Sequence, residues 1–419
     1  MSAQPPTAVI GLGYVGLPLA IALARHGPVL GFDRDPERVA ELAAGFDRTR
    51  EVPPDALADT ALRPSADADD LRGHEIFVVA VPTPVDGTNQ PDLGSLRDAC
   101  RTLGPRLAPG AIVVFESTVY PGCTEEVCGP ELSAASGLEV GRDIWLGYAP
   151  ERINPGDAAH GIGHVVKVVA GQTPEVAARL AELYGRIVGA GVFVARDIRT
   201  AEAAKVIENA QRDINIAFVN EIAMICARLG LSVHDVLAAA RTKWNFLDFT
   251  PGLVGGHCIG VDPYYLAHKA RAVGHEPHII LSGRAINEAM PAFVAEQIAA
   301  RLERGARILV LGLTFKENVP DLRNSKTAEL VHALEARGFE TTVHDPLADA
   351  GEARRLYGIA LHTGPLPQGR FDAVVAAVPH RVYRDLDAAA ALGAGGLLAD
   401  IKGVWRDVTL PHSARRWTL

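Results

Sequence analysis

The stretch VGGHCIGVDP, residues 254–263, combines residue types that could carry out chemistry. Cys258 follows the glycine pair Gly255 and Gly256, and Asp262 comes four residues after it. A thiolate is a strong nucleophile, and paired glycines let the backbone approach a ligand closely. A free cysteine is also among the most often buried residue types, so a small apolar core residue is the alternative. A metal site fits poorly, because no further cysteine or histidine cluster lies nearby.

A long helical pattern could present a second set of polar groups. Residues 197–230 contain few helix-breaking residues, and a helix of about 30 residues spans roughly 45 Å. Lys205 and Asn209 are four residues apart and therefore lie on one face of this helix. An amine and a carboxamide on one face could stabilise an oxyanion. Lys205 could equally lie on a solvated face.

The beginning of the chain has the pattern of a dinucleotide-binding turn. The strand-like run AVIGL leads into a G-x-G-x-x-G sequence, which the helical pattern LPLAIALARHG follows. In this context the glycines allow a tight turn and let a pyrophosphate approach the N-terminus of the helix. We therefore predict a dinucleotide site formed by Gly11, Gly13, Tyr14, Val15 and Gly16. The alternative is a tight strand-to-helix turn that binds nothing.

Polar residues at the ends of later strands could complete this site. The second strand ends at Asp33, where a carboxylate can accept from ribose hydroxyls and would repel a 2′-phosphate. This favours NAD over NADP, although Arg34 and Arg38 weaken the preference, and Arg38 is also a predicted cofactor contact. Ligands bind at the carboxyl ends of parallel strands, so Thr83 and Thr118 are placed for cofactor or substrate. Each threonine could instead cap a turn.

Short apolar runs of strand length alternate with helical patterns at both ends of the chain. These runs are TAVIGL, PVLGFD, EIFVVAVP and AIVVFEST near the N-terminus, and ARILVLGL, FETTVHDP, DAVVAAVP and GGLLADIK near the C-terminus. The alternation predicts an α/β fold with two Rossmann-like doubly wound parallel-sheet domains joined by a long central helix. The predicted domains are an N-terminal NAD-binding domain (1–195), a central helical domain with the cysteine loop (196–304) and a C-terminal domain (305–419).

The composition argues against several classes of function. The chain has 419 residues, a formal net charge of −9 and no basic run, which argues against a nucleic-acid surface. No segment has the pattern of a signal peptide or a membrane span. The five cysteines are an odd number without metal-site spacing. They argue against a disulfide framework and a metal centre, and they favour a reduced, cytoplasmic protein.

Several motifs in order resemble the UDP-glucose/GDP-mannose dehydrogenase family. They are GLGYVGLPLA, VPTPVD, ESTVYPGCTEE, YAPERINPGD, AAKVIENAQRDINIAFVNE, PGLVGGHCIGVDPYYL and GLTFKENVPDLRNSK. The resemblance runs from about residue 7 to the C-terminal strands. It implies oxidation of the C6 alcohol of a nucleotide sugar to a carboxylate with two NAD⁺, and a UDP-sugar-binding C-terminal domain. It also implies a homodimer, since helices of the central region pair across a two-fold axis in this family.

The resemblance also implies roles for individual residues. Cys258 would add to the aldehyde intermediate as a thiohemiacetal, whose oxidation gives a thioester that water hydrolyses. Lys205 and Asn209 would stabilise the oxyanion, and Asp262 would orient water or a proton carrier. Glu151 would be the base for hydrolysis, with Thr118 holding water. The further implied substrate contacts are Arg152, Phe249, Gly255 and Lys316, and Arg323 would reach the NAD side.

Departures from the UDP-glucose pattern indicate the branch of the family. UDP-glucose members carry a lysine at the position of Val261, and HCIGVDPYYL with KWNFL upstream looks more like the UDP-N-acetylhexosamine branch. Apolar residues of the loop, among them Trp244, Phe246 and Leu247, could form a wall for an acetyl group, or they could be core beneath the loop. We predict a UDP-N-acetylhexosamine 6-dehydrogenase of surface polysaccharide biosynthesis. A UDP-glucose 6-dehydrogenase and a non-catalytic NAD- or UDP-sugar-binding sensor are the alternatives.

Overall fold

The chain forms two compact units in a computed structural model. The first consists of residues 1–208 with 264–276, and the second of residues 209–263 with 277–419. The structure describes residues 4–152, 162–256, 258–384, 386–406 and 408–419. His257 and the end of the YAPERINPGD motif from residue 153 therefore lie outside the described residues.

Parallel strands dominate both units, as the alternating pattern predicts. The first sheet contains β1 (Thr7–Ile10), β2 (Val29–Phe32), β3 (Leu62–Ser65), β4 (Ile76–Val79), β5 (Ile112–Phe115), β6 (Trp145–Tyr148), β7 (Lys167–Gly171) and β8 (Val192–Val194). The second contains β9 (Arg307–Leu311), β10 (Glu340–His344), β11 (Leu361–His362), β12 (Phe371–Ala376), β13 (Leu392–Asp400) and β14 (Arg415–Thr418).

Helices follow most of these strands. They are α1 (Gly16–Ala24), α2 (Pro36–Ala43), α3 (Pro54–Ala58), α4 (Gly94–Leu103), α5 (Gly129–Ser136), α6 (Pro174–Gly185), α7 (Ile198–Leu229), α8 (Val233–Ala240), α9 (Asp262–Ala272), α10 (His278–Ala299), α11 (Lys326–Glu335), α12 (Ala350–Tyr357) and α13 (Arg381–Arg384). A π-helical turn spans Thr124–Cys128, and 3₁₀ turns span Ala68–Leu71, Gly104–Arg106 and Ala388–Ala391.

The first sheet has the strand order β3-β2-β1-β4-β5-β6-β7-β8. Neighbouring strands are parallel, except that β6 and β7 are antiparallel. Every residue of β1, β2, β4 and β5 is buried, as expected for parallel strands that helices cover on both faces. The order places the ends of β1 and β4 side by side, which is where a doubly wound sheet binds its ligand.

The second sheet has the order β11-β10-β9-β12-β13-β14, and all its neighbouring strands are parallel. One core cluster packs this sheet against residues of α7, α8, α10 and α11, and another covers the opposite face with Tyr383 and Trp405. Both sheets and the long helix confirm the predicted fold class. The division into three domains at residues 195 and 304 stays a prediction.

The predicted long helix over residues 197–230 is observed as α7, which spans Ile198–Leu229. The boundary between the two units falls within it, after Glu208. A second long helix, α10, begins at His278 and ends at Ala299 within the predicted central helical domain. Among the described residues, no helix is long and apolar enough to cross a membrane.

Candidate active site

The glycine-rich turn joins β1 to α1 in a geometry that only glycine allows. Gly11 has a φ of +91°, and a Cβ atom there would come within 2.6 Å of the Ala80 carbonyl oxygen. A Cβ atom on Gly16 would come within 1.8 Å of the Gly11 carbonyl oxygen. A Cβ atom on Gly13 would meet nothing within 4 Å, so the backbone here borders open space at the N-terminus of α1. This arrangement fits the close approach of a pyrophosphate.

Asp33 supports the turn from the end of β2. Its Oδ2 atom accepts from the Leu12 N–H at 2.8 Å, and its Oδ1 atom accepts from the Asp35 N–H at 3.0 Å. The side chain is half-buried, and each carboxylate oxygen can still accept a further hydrogen bond from a ribose hydroxyl. The residues of the turn therefore fit the adenosine half of NAD, and Asp33 also holds the turn in shape.

The sequence predicts that Arg38 contacts the cofactor, but its guanidinium is engaged within the protein. Its side chain is buried; its Nε atom donates to the Leu12 carbonyl at 2.9 Å and its Nη2 atom to Asp47 at 2.6 Å. Arg38 therefore fixes the turn from behind, and an NAD contact by its side chain stays a prediction. Arg34 is exposed and lies 3.6 Å from Asp98. Of these two arginines, Arg34 is the one whose charge is accessible to a 2′-phosphate.

Thr83 and Thr118 follow β4 and β5, and both are half-buried. Ser117, which the sequence analysis did not single out, ties the two loops together. Its hydroxyl donates to the Val81 carbonyl at 2.6 Å and accepts from the Val81 N–H at 3.0 Å. The EST sequence after an apolar strand is the signal that could have identified it.

Glu151 and Arg152 follow β6 in the same unit, and both are half-buried. The Arg152 N–H donates to Glu151 Oε1 at 2.6 Å. The Arg152 guanidinium lies 2.7 Å from Glu208 on α7 and donates to the Val166 carbonyl at 2.8 Å. Arg152 thus anchors the chain beside Glu151, and its predicted substrate contact stays a prediction.

Lys205 lies on α7 with only 8% of its surface exposed. Its ammonium makes no ion pair or hydrogen bond with any residue that the structure describes. Asn209 follows one turn later on the same helix and is also buried.

The cysteine loop of the second unit is shaped by its glycines. Gly256 has a φ of +88°, and a Cβ atom there would come within 2.6 Å of the Phe315 ring. The Asn324 side chain donates to the Gly256 carbonyl at 2.9 Å, and the Gly256 N–H donates to the Asn324 carbonyl at 3.1 Å. A Cβ atom on Gly255 would come within 2.5 Å of the same Asn324 carbonyl oxygen. The glycine pair therefore lets this loop pack on its own unit, and a substrate contact by Gly255 stays a prediction.

Cys258 is exposed, whereas Cys100, Cys123, Cys128 and Cys226 are buried. Exposure removes the alternative of a small buried core residue. The Asp262 N–H donates to the Cys258 carbonyl at 2.9 Å where α9 begins. The Asp262 side chain is buried, and its Oδ2 atom accepts from the Asn209 side chain at 2.5 Å.

Lys316 and Arg323 belong to the segment between β9 and α11. Lys316 is half-buried, and its carbonyl accepts from the Thr314 hydroxyl at 3.0 Å. Arg323 forms a two-pronged contact with Asp321, with its Nη2 atom 2.7 Å from Oδ2 and its Nε atom 3.0 Å from Oδ1. The roles of both residues toward ligands stay predictions.

The second unit contains a similar glycine turn after β9, but the aspartate that supports this turn is fully buried. Gly312 has a φ of +89°, and Asp345 at the end of β10 accepts from the Leu313 N–H at 2.7 Å. His380 also donates to Asp345, at 2.9 Å, and both side chains are fully buried. Burial alone would raise the pKa of Asp345, but the hydrogen bonds lower it to about 2. Asp345 is fully buried and contacts His380, whereas Asp33 is half-buried, so Asp33 is the more accessible of the two carboxylates.

The apolar residues of the loop before Cys258 separate into two groups. Phe246, Phe249 and Leu253 pack against the hydrophobic core of the second unit. Trp244 is 92% exposed and Leu247 is 57% exposed. The two phenylalanines are therefore only partly covered by the core, and a substrate contact by Phe249 stays a prediction. Trp244 and Leu247 are mostly accessible to a ligand or a partner.

Comparison with known proteins accounts for nearly the whole chain. The NAD binding domain of the UDP-glucose/GDP-mannose dehydrogenase family matches residues 6–188, its central domain residues 199–289, and its UDP binding domain residues 309–407. The chain belongs to this family. The predicted NAD cofactor and the predicted dehydrogenase class are thereby confirmed. Nothing in the family match concerns the roles of single residues, which remain predictions.

Individual relatives of this dehydrogenase are similar over most of its length. It is 48% identical over 421 residues to the protein CapL of Staphylococcus aureus, and the alignment covers 98% of this chain and 99% of CapL. It is 48% identical over 388 residues to a UDP-N-acetyl-D-glucosamine 6-dehydrogenase of Pseudomonas aeruginosa, covering 91% and 92% of the two chains. A solved UDP-D-ManNAc dehydrogenase from Pyrococcus horikoshii is 29% identical, with a TM-score of 0.86 over 98% of each chain.

Removing the Asp33 charge should change the cofactor preference of this dehydrogenase. We expect Asp33→Asn to raise the ratio of kcat/KM for NADP⁺ to that for NAD⁺ by about tenfold, because a carboxylate that repels the 2′-phosphate is lost beside Arg34. Asp33→Ala should shift the ratio similarly but lower the thermal midpoint further, because it also loses both hydrogen bonds to the turn. A wild-type enzyme that already prefers NADP⁺ would contradict this role.

Proposed function

We propose that the chain is an NAD-dependent UDP-N-acetylhexosamine 6-dehydrogenase that oxidises the C6 alcohol of its substrate to a carboxylate. The observation that carries the substrate class is the 48% identity to a UDP-N-acetyl-D-glucosamine 6-dehydrogenase over 91% of this chain. The exposed Cys258, at a glycine-rich loop and beside a buried Asn209–Asp262 hydrogen bond, supports the covalent chemistry. A product of this class suits surface polysaccharide biosynthesis.

Cys258 is the proposed nucleophile. Bound NAD⁺ would accept the hydride in each of the two oxidations. An aldehyde does not readily give up a second hydride unless a nucleophile has added to it. The Cys258 sulfur adds to the C6 aldehyde and forms a thiohemiacetal, which also retains the intermediate. Its oxidation leaves a thioester between the substrate and Cys258, and hydrolysis frees both the uronic acid and the thiol.

Other residues stabilise charge and move protons in this scheme. Lys205 and Asn209, one turn apart on α7, stabilise the oxyanion that forms when the thiolate adds. Asn209 also donates to Asp262, so Asp262 is held to orient water or a proton carrier. Glu151 is the base that activates water for thioester hydrolysis, and Thr118 holds that water.

The substrate assignment predicts a measurable preference. UDP-GlcNAc or UDP-GalNAc should be oxidised with kcat/KM at least about tenfold above UDP-glucose, which corresponds to about 1.4 kcal/mol. One hydrogen bond and a partly buried acetyl methyl group can provide this difference. A panel of UDP-sugars, compared by NADH absorbance at equal enzyme concentration, measures it. Equal or better turnover of UDP-glucose would favour the alternative of a UDP-glucose 6-dehydrogenase and leave the cysteine chemistry unaffected.

We further propose a homodimer. Phe218, Ile225 and Leu229 lie along one face of α7 and are 53%, 45% and 65% exposed. An isologous contact would bury this apolar face twice. Ile214 and Ile222 of the same helix are half-buried within their own unit. Light scattering at micromolar concentration should give twice the mass of the chain, 44.4 kDa, and a monomer mass would exclude this proposal.

The location of the enzyme is also a proposal. The buried cysteines Cys100, Cys123, Cys128 and Cys226 are free thiols. Free thiols and a nicotinamide cofactor suit a reducing compartment. We therefore propose that the enzyme is cytoplasmic.

A further inference from the structure

A buried lysine lies between two carboxylates in the first unit. Lys167, on β7, is 5% exposed, and its Nζ atom lies 2.6 Å from Glu116 Oε2 and 3.9 Å from Glu151 Oε2. The Tyr184 hydroxyl donates to Glu116 Oε1 at 2.5 Å, and the Tyr184 ring centroid is 5.0 Å from the Lys167 ammonium. We call these four residues the Lys167 cluster.

The Lys167 cluster is hard to explain by stability alone. A buried ion pair is commonly no more stable than apolar residues of the same volume. Here one ammonium faces two carboxylates, so the cluster buries an excess of acidic groups. Burial raises the pKa of Glu116 to about 7, even though the Lys167 ammonium acts in the opposite direction. A cluster that carries such a cost is a candidate for function.

We infer that Lys167 is a positioning residue for Glu151, held in place by Glu116 and Tyr184. Each oxygen of Glu151 has a defined neighbour: the Arg152 N–H donates to Oε1, and the Lys167 ammonium faces Oε2. Glu116 accepts from both Lys167 and Tyr184, which fixes the direction of the ammonium. The carboxylate that the proposed function assigns to thioester hydrolysis is therefore oriented by the Lys167 ammonium.

The charged groups around Glu151 support an effect of Lys167 on the strength of Glu151 as a base. The Lys167 ammonium lies within ion-pair distance of the Glu151 carboxylate, and the Arg152 guanidinium is engaged by Glu208. Glu116 and Tyr184 add negative charge only when they are ionised, and burial raises the pKa of both. Loss of the Lys167 ammonium removes the positive charge that faces this carboxylate, so we expect Glu151 to be a weaker base in the variant.

The inference rests on the proposed function and predicts a defect in hydrolysis alone. In Lys167→Met we expect kcat at pH 7 to fall at least about tenfold, and the acid limb of its pH profile to move upward by about one unit, since tenfold weaker ionisation corresponds to one pH unit. KM for NAD⁺ should change less than about twofold. The thioester on Cys258 should accumulate and be detected by mass spectrometry of acid-quenched protein. Lys167→Arg, which keeps the charge, should restore most of kcat.

Two matched variants separate positioning from stability. Lys167→Met/Glu116→Gln removes the ammonium without leaving Glu116 as a buried charge, so it should recover thermal stability while keeping the shifted acid limb. This double variant also carries the test if Lys167→Met alone does not fold. Tyr184→Phe keeps the ring beneath Lys167 and removes only the hydroxyl, so it should lower the thermal midpoint without moving the acid limb.

A wild-type acid limb and no trapped thioester in the double variant would overturn the inference and leave Lys167 a purely structural residue. Failure of the proposed function looks different, because wild-type protein would then form no NADH with any UDP-sugar of the panel. The two outcomes are distinguished in the same assay.

Discussion

Cys258→Ser should lower the rate of uronic acid formation by at least about 10³-fold, which is roughly 4 kcal/mol in the activation barrier. A serine alkoxide is far harder to form than a thiolate, and the ester that it would give hydrolyses more slowly than a thioester. Cys258 is exposed and its side chain is not part of the core, so the thermal midpoint and NAD binding should stay unchanged.

Cys226→Ala is the matched control for this substitution. Cys226 is buried in the core of the second unit, so its truncation should cost about 1 kcal/mol of stability while kcat stays within about twofold. If the Cys258→Ser enzyme formed uronic acid at close to the wild-type rate, covalent catalysis by Cys258 would be contradicted.

Lys205→Met should reduce activity and increase stability at the same time. Loss of an oxyanion-stabilising group typically costs about 10²–10³-fold in kcat. Lys205 is 8% exposed and has no partner among the described residues, so an apolar side chain of similar length should raise the free energy of unfolding by about 1 kcal/mol. Chemical denaturation and NADH formation, measured on the same preparation, test both expectations.

Lys326→Met is the matched control, and it should lower stability where Lys205→Met raises it. Lys326 is equally buried, but its ammonium contacts Glu288 and lies 2.7 Å from Glu329. Its replacement should therefore lower the free energy of unfolding, because Glu288 and Glu329 each lose an ion pair. If Lys205→Met is destabilised in the same way, Lys205 has a structural role and its place in the oxyanion scheme is wrong.

The elements of the fold could be predicted because their signals are local. The apolar runs predicted inner strands of both sheets. The scarcity of helix-breaking residues predicted α7, and each predicted end lies within one residue of the observed end. The antiparallel pairing of β6 with β7 could not be predicted, since these strands pair through contacts distant in sequence. The edge strands β8 and β11 are too short, with 3 and 2 residues, to carry a clear pattern.

The candidate site could be predicted only where a residue type is chemically specific. Gly11 and Asp33 were found from their spacing, and the structure joins them through the Leu12 N–H. Arg38 was expected beside the ligand, but an arginine on a helix does not reveal from sequence that Asp47 will bind it from behind. The Lys167 cluster was missed for the same reason, because Glu116 and Lys167 lie 51 residues apart in the chain.

The stoichiometry of NADH formation tests the central claim most directly. With limiting UDP-GlcNAc and excess NAD⁺, we expect two molecules of NADH for each UDP-sugar consumed, and acid quenching during turnover should trap an acyl group on Cys258. One NADH per sugar with release of the free aldehyde, or two NADH without any adduct on Cys258, would contradict the covalent four-electron oxidation proposed for this dehydrogenase.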